Sequence, residues 1–477
     1  MWPVVMVLGL VALWPAFSGP FHHDMEGVMG GRIQGAIQRD WLSHGIVDRH
    51  FRPSILPNPS ASIPSPTYGN HPIGTHIMVH GFVVAFGYHE WAIRLYSLAC
   101  TLAMGGAVAL ALRRHHSVLW AILFAALFFT LPGVRKFGVM ANYEQPVVLW
   151  GTIFVLCYGR GHRGDRWWCP LLAYVVTCHD WIGGILVALT IVVRAGTTPL
   201  RHQQAWLSAV GVTLAAGTHL ALLHHWEGSL GGAWLTLTRA VDQGVTLAPP
   251  SVRQFISAQG EHLHRLFGPI GLVLGMATVI AGAAQFRQRQ KPLPVLTLAA
   301  VTWALCGVLN VVLFPSRSKD HEFWPYYLIP AFVFGLQSVA ASVVTSRKSL
   351  RPMVTGFLFV AVVAIAALGP SPVPVEPVRN LILADTLNRY LDEDDLVCVP
   401  GDGGGPWYFY SRPWVLDLTA GIEYLTEVAT WTRLQAGRRV VVVVHKDDQD
   451  AYRSWFKSLQ TEPANSYDLG PYVVFAF

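Results

Sequence analysis

Long apolar runs alternate with short basic clusters along this chain, and that pattern constrains its fold more than any single motif. The runs cover 91–112, 117–131, 146–158, 167–177, 181–193, 205–223, 266–284, 295–314, 323–344 and 353–368, with one more at 2–17. Several reach the ~20 residues a helix needs to cross a bilayer. Basic clusters around Arg113, Arg160, Arg194, Arg287 and Arg347 fall on every second connection. Cytoplasmic loops carry such an excess, so the other connections face outward. The parity predicts about eleven transmembrane helices. Only the Arg135–Lys136 connection breaks it. The apolar run 2–17 lacks a positively charged flank, so it reads as a retained first helix rather than a cleaved signal.

Composition agrees. Charged residues make up 13% where a soluble domain carries roughly 25%, and mean hydropathy is +0.40. The net charge of +6 sits in the loop clusters, which excludes nucleic-acid binding as its cause. None of the six cysteines forms a CxxC pair, so neither a zinc site nor a disulfide framework is indicated. The fold class is a mainly α polytopic membrane bundle over 1–369. Behind a proline-rich linker, 370–377, the tail alternates strand and helix: strands at 396–400, 439–445 and 472–477, helices at 376–390 and 449–459. That predicts a small extracytoplasmic α/β domain over 370–477. The run Gly401 to Gly405 lacks the pattern of a phosphate cradle and reads as a turn.

The sorting places most ionisable residues that are not cytoplasmic anchors on one face. They include the long polar loop 22–72, Asn142 and Glu144, His179 and Asp180, the loop 224–265, and Lys319 with His321. Polar groups near hydrocarbon persist mainly where protein buries them or an aqueous cavity receives them. Within the loop, 25–43 has helical spacing and 52–67 is rich in Pro and Ser. The short runs beside His179 predict a hairpin tip below the outer surface.

Five motifs follow in order: Asp24-Met25-Glu26; Tyr68-Gly69-Asn70-His71-Pro72; Phe86-Gly87 with Glu90 and Arg94; Asn142-Tyr143-Glu144; and Lys319-Asp320-His321-Glu322 leading to Tyr327 and Pro330. In this order they resemble the GT-C membrane glycosyltransferases, more narrowly the bacterial relatives of protein O-mannosyltransferases and lipid A aminoarabinose transferases. Ile73 stands where that family usually has a second proline after the histidine step, and the Pro-rich insertion before Tyr68 is untypical.

The resemblance implies a polyprenyl-phosphate sugar donor, an acceptor hydroxyl on a lipid, glycan or protein, and chemistry at the outer face of a bacterial inner membrane. An attacking hydroxyl must shed a proton, and a nearby carboxylate can take it. The family's acid position makes Asp24 the candidate base, with a helix-end cap as the plain alternative; Glu26 orients the acceptor or a metal. His71, Asn142, Glu144, His179 and Asp180 are candidate substrate contacts. Each also reads as a structural group: a histidine at a helix start, helix amino-terminal residues, and a hydrogen-bonded pair. Lys319 and His321 match a lipid phosphate by charge, with Arg317 as a substitute. Tyr326 and Tyr327 read as belt aromatics, Tyr327 also as a substrate contact. Glu261, His262 and His264 are candidates for the acceptor entrance. No cofactor is assigned. A divalent metal is left open, on His76 and His80 with His22 and His23, although packed histidines are the commoner case. The competing function is a transporter or flippase of lipid-linked sugar, but no internal repeat supports it.

Overall fold

The computed structural model describes residues 1–19, 21, 27–54, 68–69, 71–113, 117–161, 167–196, 202–234, 250–288, 294–369, 388–389, 396–399, 414–417, 440–445, 450, 453, 465–469 and 472–476. The chain divides into two compact units. One comprises Met1–Gly19, Gly69–Met78 and Arg94–Val373; the other comprises Pro20–Tyr68, Val79–Ile93 and Pro374–Phe477.

The first unit is helical. Six described helices are long and apolar enough to cross a membrane: Glu90–Arg113, His202–Glu227, Val252–Ile280, Val295–Leu313, Trp324–Ser346 and Lys348–Leu368. Shorter apolar helices are Trp2–Ser18, Gly74–Phe86, Val118–Thr130, Trp168–His179 and Trp181–Ala195. Glu144–Arg160 packs between them, with Phe154 and Val155 wholly buried. Lipid tails give helices no hydrophobic reason to associate, so close packing decides. At Gly74 an added Cβ would stand 2.5 Å from the Cys178 carbonyl oxygen. Glycine is what lets this segment meet the 178–180 hairpin.

One expectation is overturned here. The stretch 252–265, read above as part of an outer loop, is helical and leads through a kink at Gly268 into the rest of the apolar run. Its start is a reciprocal cap. The Gln254 amide donates to Ser251 Oγ at 3.3 Å, and the Ser251 amide donates to Gln254 Oε1 at 3.0 Å. Polarity had suggested a loop, but a capped helix tolerates a polar face above the membrane. The helix breaks at Gly268, whose φ of 66° and ψ of 172° suit only glycine; Pro269 follows.

In the second unit, a π-helical turn, Val28–Gln34, leads into the helix Gly35–His44. Gln38 Oε1 lies 2.9 Å from His80 Nδ1, the Tyr88 hydroxyl donates to the Gly35 carbonyl at 2.9 Å, and Trp41 meets His80 edge-on. Asp40 is buried and bonded to Arg49 at 2.9 Å. Burial pushes its carboxyl up against the pull of Arg49 and His44.

The same unit holds a five-stranded sheet, ordered β2-β1-β3-β5-β4. Its strands are β1 (Leu396–Val399), β2 (Trp414–Asp417), β3 (Val440–His445), β4 (Asn465–Leu469) and β5 (Tyr472–Ala476). Parallel pairing joins β1 to β2 and β3; antiparallel pairing joins β3 to β5 and β5 to β4. Val441 to Val444 are all buried, as a strand covered on both faces requires. Strands β2 and β4 were not anticipated. Gly401 to Gly405 lie outside the described residues, as do most of the two helices expected in the tail.

Candidate active site

The hairpin between Trp168–His179 and Trp181–Ala195 is the centre of a buried polar network. Asp180 links the two helices in extended conformation (φ −160°, ψ 152°) and caps the second, accepting from the Ile182 amide at 3.4 Å. The same carboxylate accepts from His71 Nδ1 at 3.3 Å and from the Tyr327 hydroxyl at 3.3 Å. His179 is bracketed, with the Thr75 hydroxyl 3.0 Å from Nδ1 and the Tyr96 hydroxyl 3.0 Å from Nε2. The His71 ring stacks on Tyr143 with centroids 4.3 Å apart, and the Tyr143 hydroxyl lies 3.2 Å from His76 Nε2. His219 Nε2 donates to the Gly69 carbonyl at 3.0 Å.

Asn142 and Glu144 flank Tyr143 at the start of the Glu144–Arg160 helix. Both are buried, and Asn142 Nδ2 and Glu144 Oε2 have no hydrogen-bond partner. Leaving such atoms bare is unfavourable, so among the described residues they are open to a ligand or water, as is His219 Nδ1. Burial lifts the Glu144 carboxyl to about 8, with the charge of Asp180 adding to the effect. At neutral pH Glu144 is therefore largely a neutral acid that can donate a hydrogen bond.

A second network lies around the short helix Pro315–Asp320. Glu322 accepts from Lys136 and, at 3.0 Å, from Arg265, which also pairs with Glu261. Burial pushes Glu322 up, but Lys136 and Arg265 outweigh it and hold the carboxyl below its ordinary range. Gln259 donates to the Ser318 carbonyl at 2.8 Å and His262 to the Lys319 carbonyl at 2.9 Å. Lys319 is partly exposed and lies 3.3 Å from Asp320. Burial, reinforced by Arg317, lowers His321 to about 4, so its imidazole offers an N–H but no charge at neutral pH.

Six of the residues singled out from sequence thus meet in one network: His71, Asn142, Glu144, His179, Asp180 and Tyr327. Lys319 and His321 stand in the other. Asp24 and Glu26 lie outside the described residues, with His22 and His23. Tyr326 and Tyr327 are not belt aromatics. Both are 1% exposed, because the turn Trp324–Tyr327 faces them into protein. His76 and His80 bond different partners, Tyr143 and Gln38. Among the described residues no group of His, Cys, Asp and Glu is arranged to hold a metal ion. Sequence reasoning missed Thr75, Tyr96, Tyr143 and His219 as network members, and the Lys136–Glu322–Arg265 cluster. For the cluster a signal existed: Lys136 stood in the one connection that broke the charge alternation. It is an ion-pair partner of Glu322.

The described chain matches solved structures over almost its full length. Against ArnT from Cupriavidus metallidurans bound to undecaprenyl phosphate, the TM-score is 0.68 at 14% identity, covering 99% of this chain and 96% of that one. The apo state of the same protein gives 0.59 at 15% identity, with the same coverage of both chains. The Archaeoglobus fulgidus oligosaccharyltransferase in apo form gives 0.58 at 12% identity, covering 94% of this chain and 70% of that one. The fold is GT-C. At these identities the likeness is one of fold. No protein-family model and no curated protein matches the sequence. In GT-C terms, the His71–Asp180–Tyr327 network and the Glu322 cluster are built from side chains of the helical unit alone.

Proposed function

We propose that this GT-C chain is an inverting membrane glycosyltransferase that moves a sugar from a polyprenyl-phosphate donor to an acceptor hydroxyl. The observation that carries the reading is the buried network: polar residues from separate segments converge on Asp180, and Asn142 and Glu144 present unengaged polar atoms there. In the proposed step Asp24 takes the proton of the acceptor hydroxyl, and Glu26 orients the acceptor. The hydroxyl oxygen attacks the anomeric carbon as the bond to the phosphate oxygen breaks, its electron pair leaving with the phosphate. The departing group is already an acid's anion, so positive charge and N–H donors serve it better than a proton. Lys319 supplies the charge and His321 the N–H. His71, Asn142, Glu144, His179, Asp180 and Tyr327 contact the substrates.

The same reading places about eleven helices in a bacterial inner membrane, the site on the periplasmic side, residues 1–369 as the catalytic domain and 370–477 as an extracytoplasmic domain that covers the site or docks the acceptor. The partners are the lipid-linked donor, membrane lipid, and a lipid, glycan or protein acceptor.

Membranes carrying the protein, supplied with labelled polyprenyl-phosphate sugar, should release polyprenyl phosphate and label an acceptor. Asp24→Asn should lose roughly 100- to 10,000-fold in turnover while still binding the lipid. Undiminished turnover removes Asp24 as the base. Sugar-lipid crossing the bilayer without transfer makes the chain a transporter.

A further inference from the structure

Three polar atoms in the buried network have no hydrogen-bond partner among the described residues: Asn142 Nδ2, Glu144 Oε2 and His219 Nδ1. Their residues are 2%, 5% and 2% exposed, respectively. All three belong to the helical unit, and His71 links them. Its ring stacks on Tyr143, which stands between Asn142 and Glu144, and it lies within electrostatic reach of His219. A buried polar atom without a partner is unfavourable. A site made of such atoms selects the ligand that pairs with them.

The three atoms differ in what they ask for. Asn142 Nδ2 only donates. His219 donates from Nε2 to the Gly69 carbonyl at 3.0 Å, and a neutral imidazole that does so keeps its lone pair on Nδ1. That atom accepts. Glu144 Oε2 donates or accepts according to its proton, and its surroundings decide which. The titratable groups that face it are Asp180 from the hairpin and Tyr326 and Tyr327 from the Trp324–Tyr327 turn. His71 and His76 lie against Tyr143, His179 is turned to Thr75 and Tyr96, and Cys306 to the Ile182 carbonyl. No cation acts on the Glu144 carboxyl. Burial and the Asp180 charge favour its neutral form, and they outweigh its own amide and the Asn142 side chain. Neighbouring buried carboxyls do not readily both ionise. Asp180 already accepts from His71, Tyr327 and the Ile182 amide, so the proton belongs on Glu144.

We infer that the sugar on the donor is uncharged and that Glu144 reads it as a neutral acid: Glu144 and Asn142 donate to its oxygens, and His219 accepts from one of its hydroxyls. A hydroxyl both gives and takes hydrogen bonds, so a neutral sugar satisfies all three atoms. An ammonium offers nothing to the two donors, and a carboxylate offers nothing to His219. The inference rests on the reading of the chain as a transferase of lipid-linked sugar. Glu144 sets specificity in this scheme and takes no proton from the acceptor.

The test uses the full chain and four probes: polyprenyl phosphate alone, and polyprenyl phosphate bearing a hexose, an amino-hexose or a hexuronic acid. Equilibrium binding is measured for all four, and release of polyprenyl phosphate for the three sugar lipids. At about pH 6.5 the hexose lipid should bind at least ~10-fold tighter than either charged one. Its affinity should fall about tenfold between pH 7 and pH 9 as Glu144 ionises, while that of the bare lipid changes by less than about twofold. Glu144→Gln still donates but cannot ionise, so it should keep part of the preference for hexose and hold it flat across that range. Asn142→Leu should weaken hexose-lipid binding ~10-fold and leave bare-lipid binding in place. Tighter binding of a charged sugar lipid, a hexose affinity without the pH step, or a step that survives in Glu144→Gln each overturns the inference. If a variant fails to fold, as lost bare-lipid binding would show, the wild-type probe series and pH step decide. Release from none of the three sugar lipids removes the transferase reading and the inference with it. Release that prefers a charged sugar removes the inference alone.

Discussion

Glu144 is an acid that its surroundings hold neutral, and that makes a signed prediction. Its carboxyl sits at about 8 in the folded chain, against an ordinary value of 4.5. The folded state therefore binds a proton that the unfolded state has already lost between those values. The stabilisation is fully present below the ordinary value and disappears as pH rises through the folded one. Thermal unfolding of purified protein should show this contribution falling from about pH 4.5 to about pH 8 and levelling off above that. Glu144→Gln, neutral at every pH, should remove that slope; a variant with the wild-type slope contradicts the neutral-acid description. At this scale the sequence named His71, Glu144, His179 and Asp180, because acids and histidines stand out between apolar runs, but not His219, which lies within one of those runs. It did not name Thr75, Tyr96 or Tyr143. Hydroxyls and aromatics are ordinary in a membrane chain, and only the approach of one helix to another reveals which of them touch His179 or His71.

The element that departs most from its sequence reading is the Val252–Gln288 helix. Hydropathy marks only where a chain is apolar, so it started this helix at the membrane surface. The Ser251-x-x-Gln254 pattern was the legible signal of the true start, and it went unused. The break at Gly268 is specific to glycine: a side chain at φ 66°, ψ 172° is strained by roughly 1–3 kcal/mol. Gly268→Ala should lower the unfolding temperature measurably, while Gly260→Ala in the same helix, where an added Cβ meets nothing within 4 Å, should leave it unchanged or raise it. Equal behaviour of the two variants argues that the break is not a fixed feature. Arg265, Gln259 and His262 all lie on the polar side of this break and hold the 318–322 corner, so the break separates the part that spans from the part that grips.

For the whole molecule, the apolar runs carried the helical class, while the alternation of basic clusters supplies a proposed sidedness. The central strand β3 was legible as a valine run, whereas β2 has only four residues and β4 is polar, so both pass for loop. Sidedness itself is testable. In a cysteine-free background, Asp320→Cys should react with a membrane-impermeant maleimide applied to the outer face, and Lys348→Cys only after the membrane is opened; both positions are exposed. The reverse pattern inverts the proposed orientation. The hairpin at Asp180 carries one more consequence. Its helices have 12 and 15 residues, which at ~1.5 Å per residue gives about 18 and 22 Å, against a hydrocarbon thickness of ~30 Å. Where helices this short meet lipid, local thinning of the bilayer matches them. In the proposed orientation the headgroup layer dips toward His179 and Asp180, and thinner bilayers are the more comfortable host for this chain.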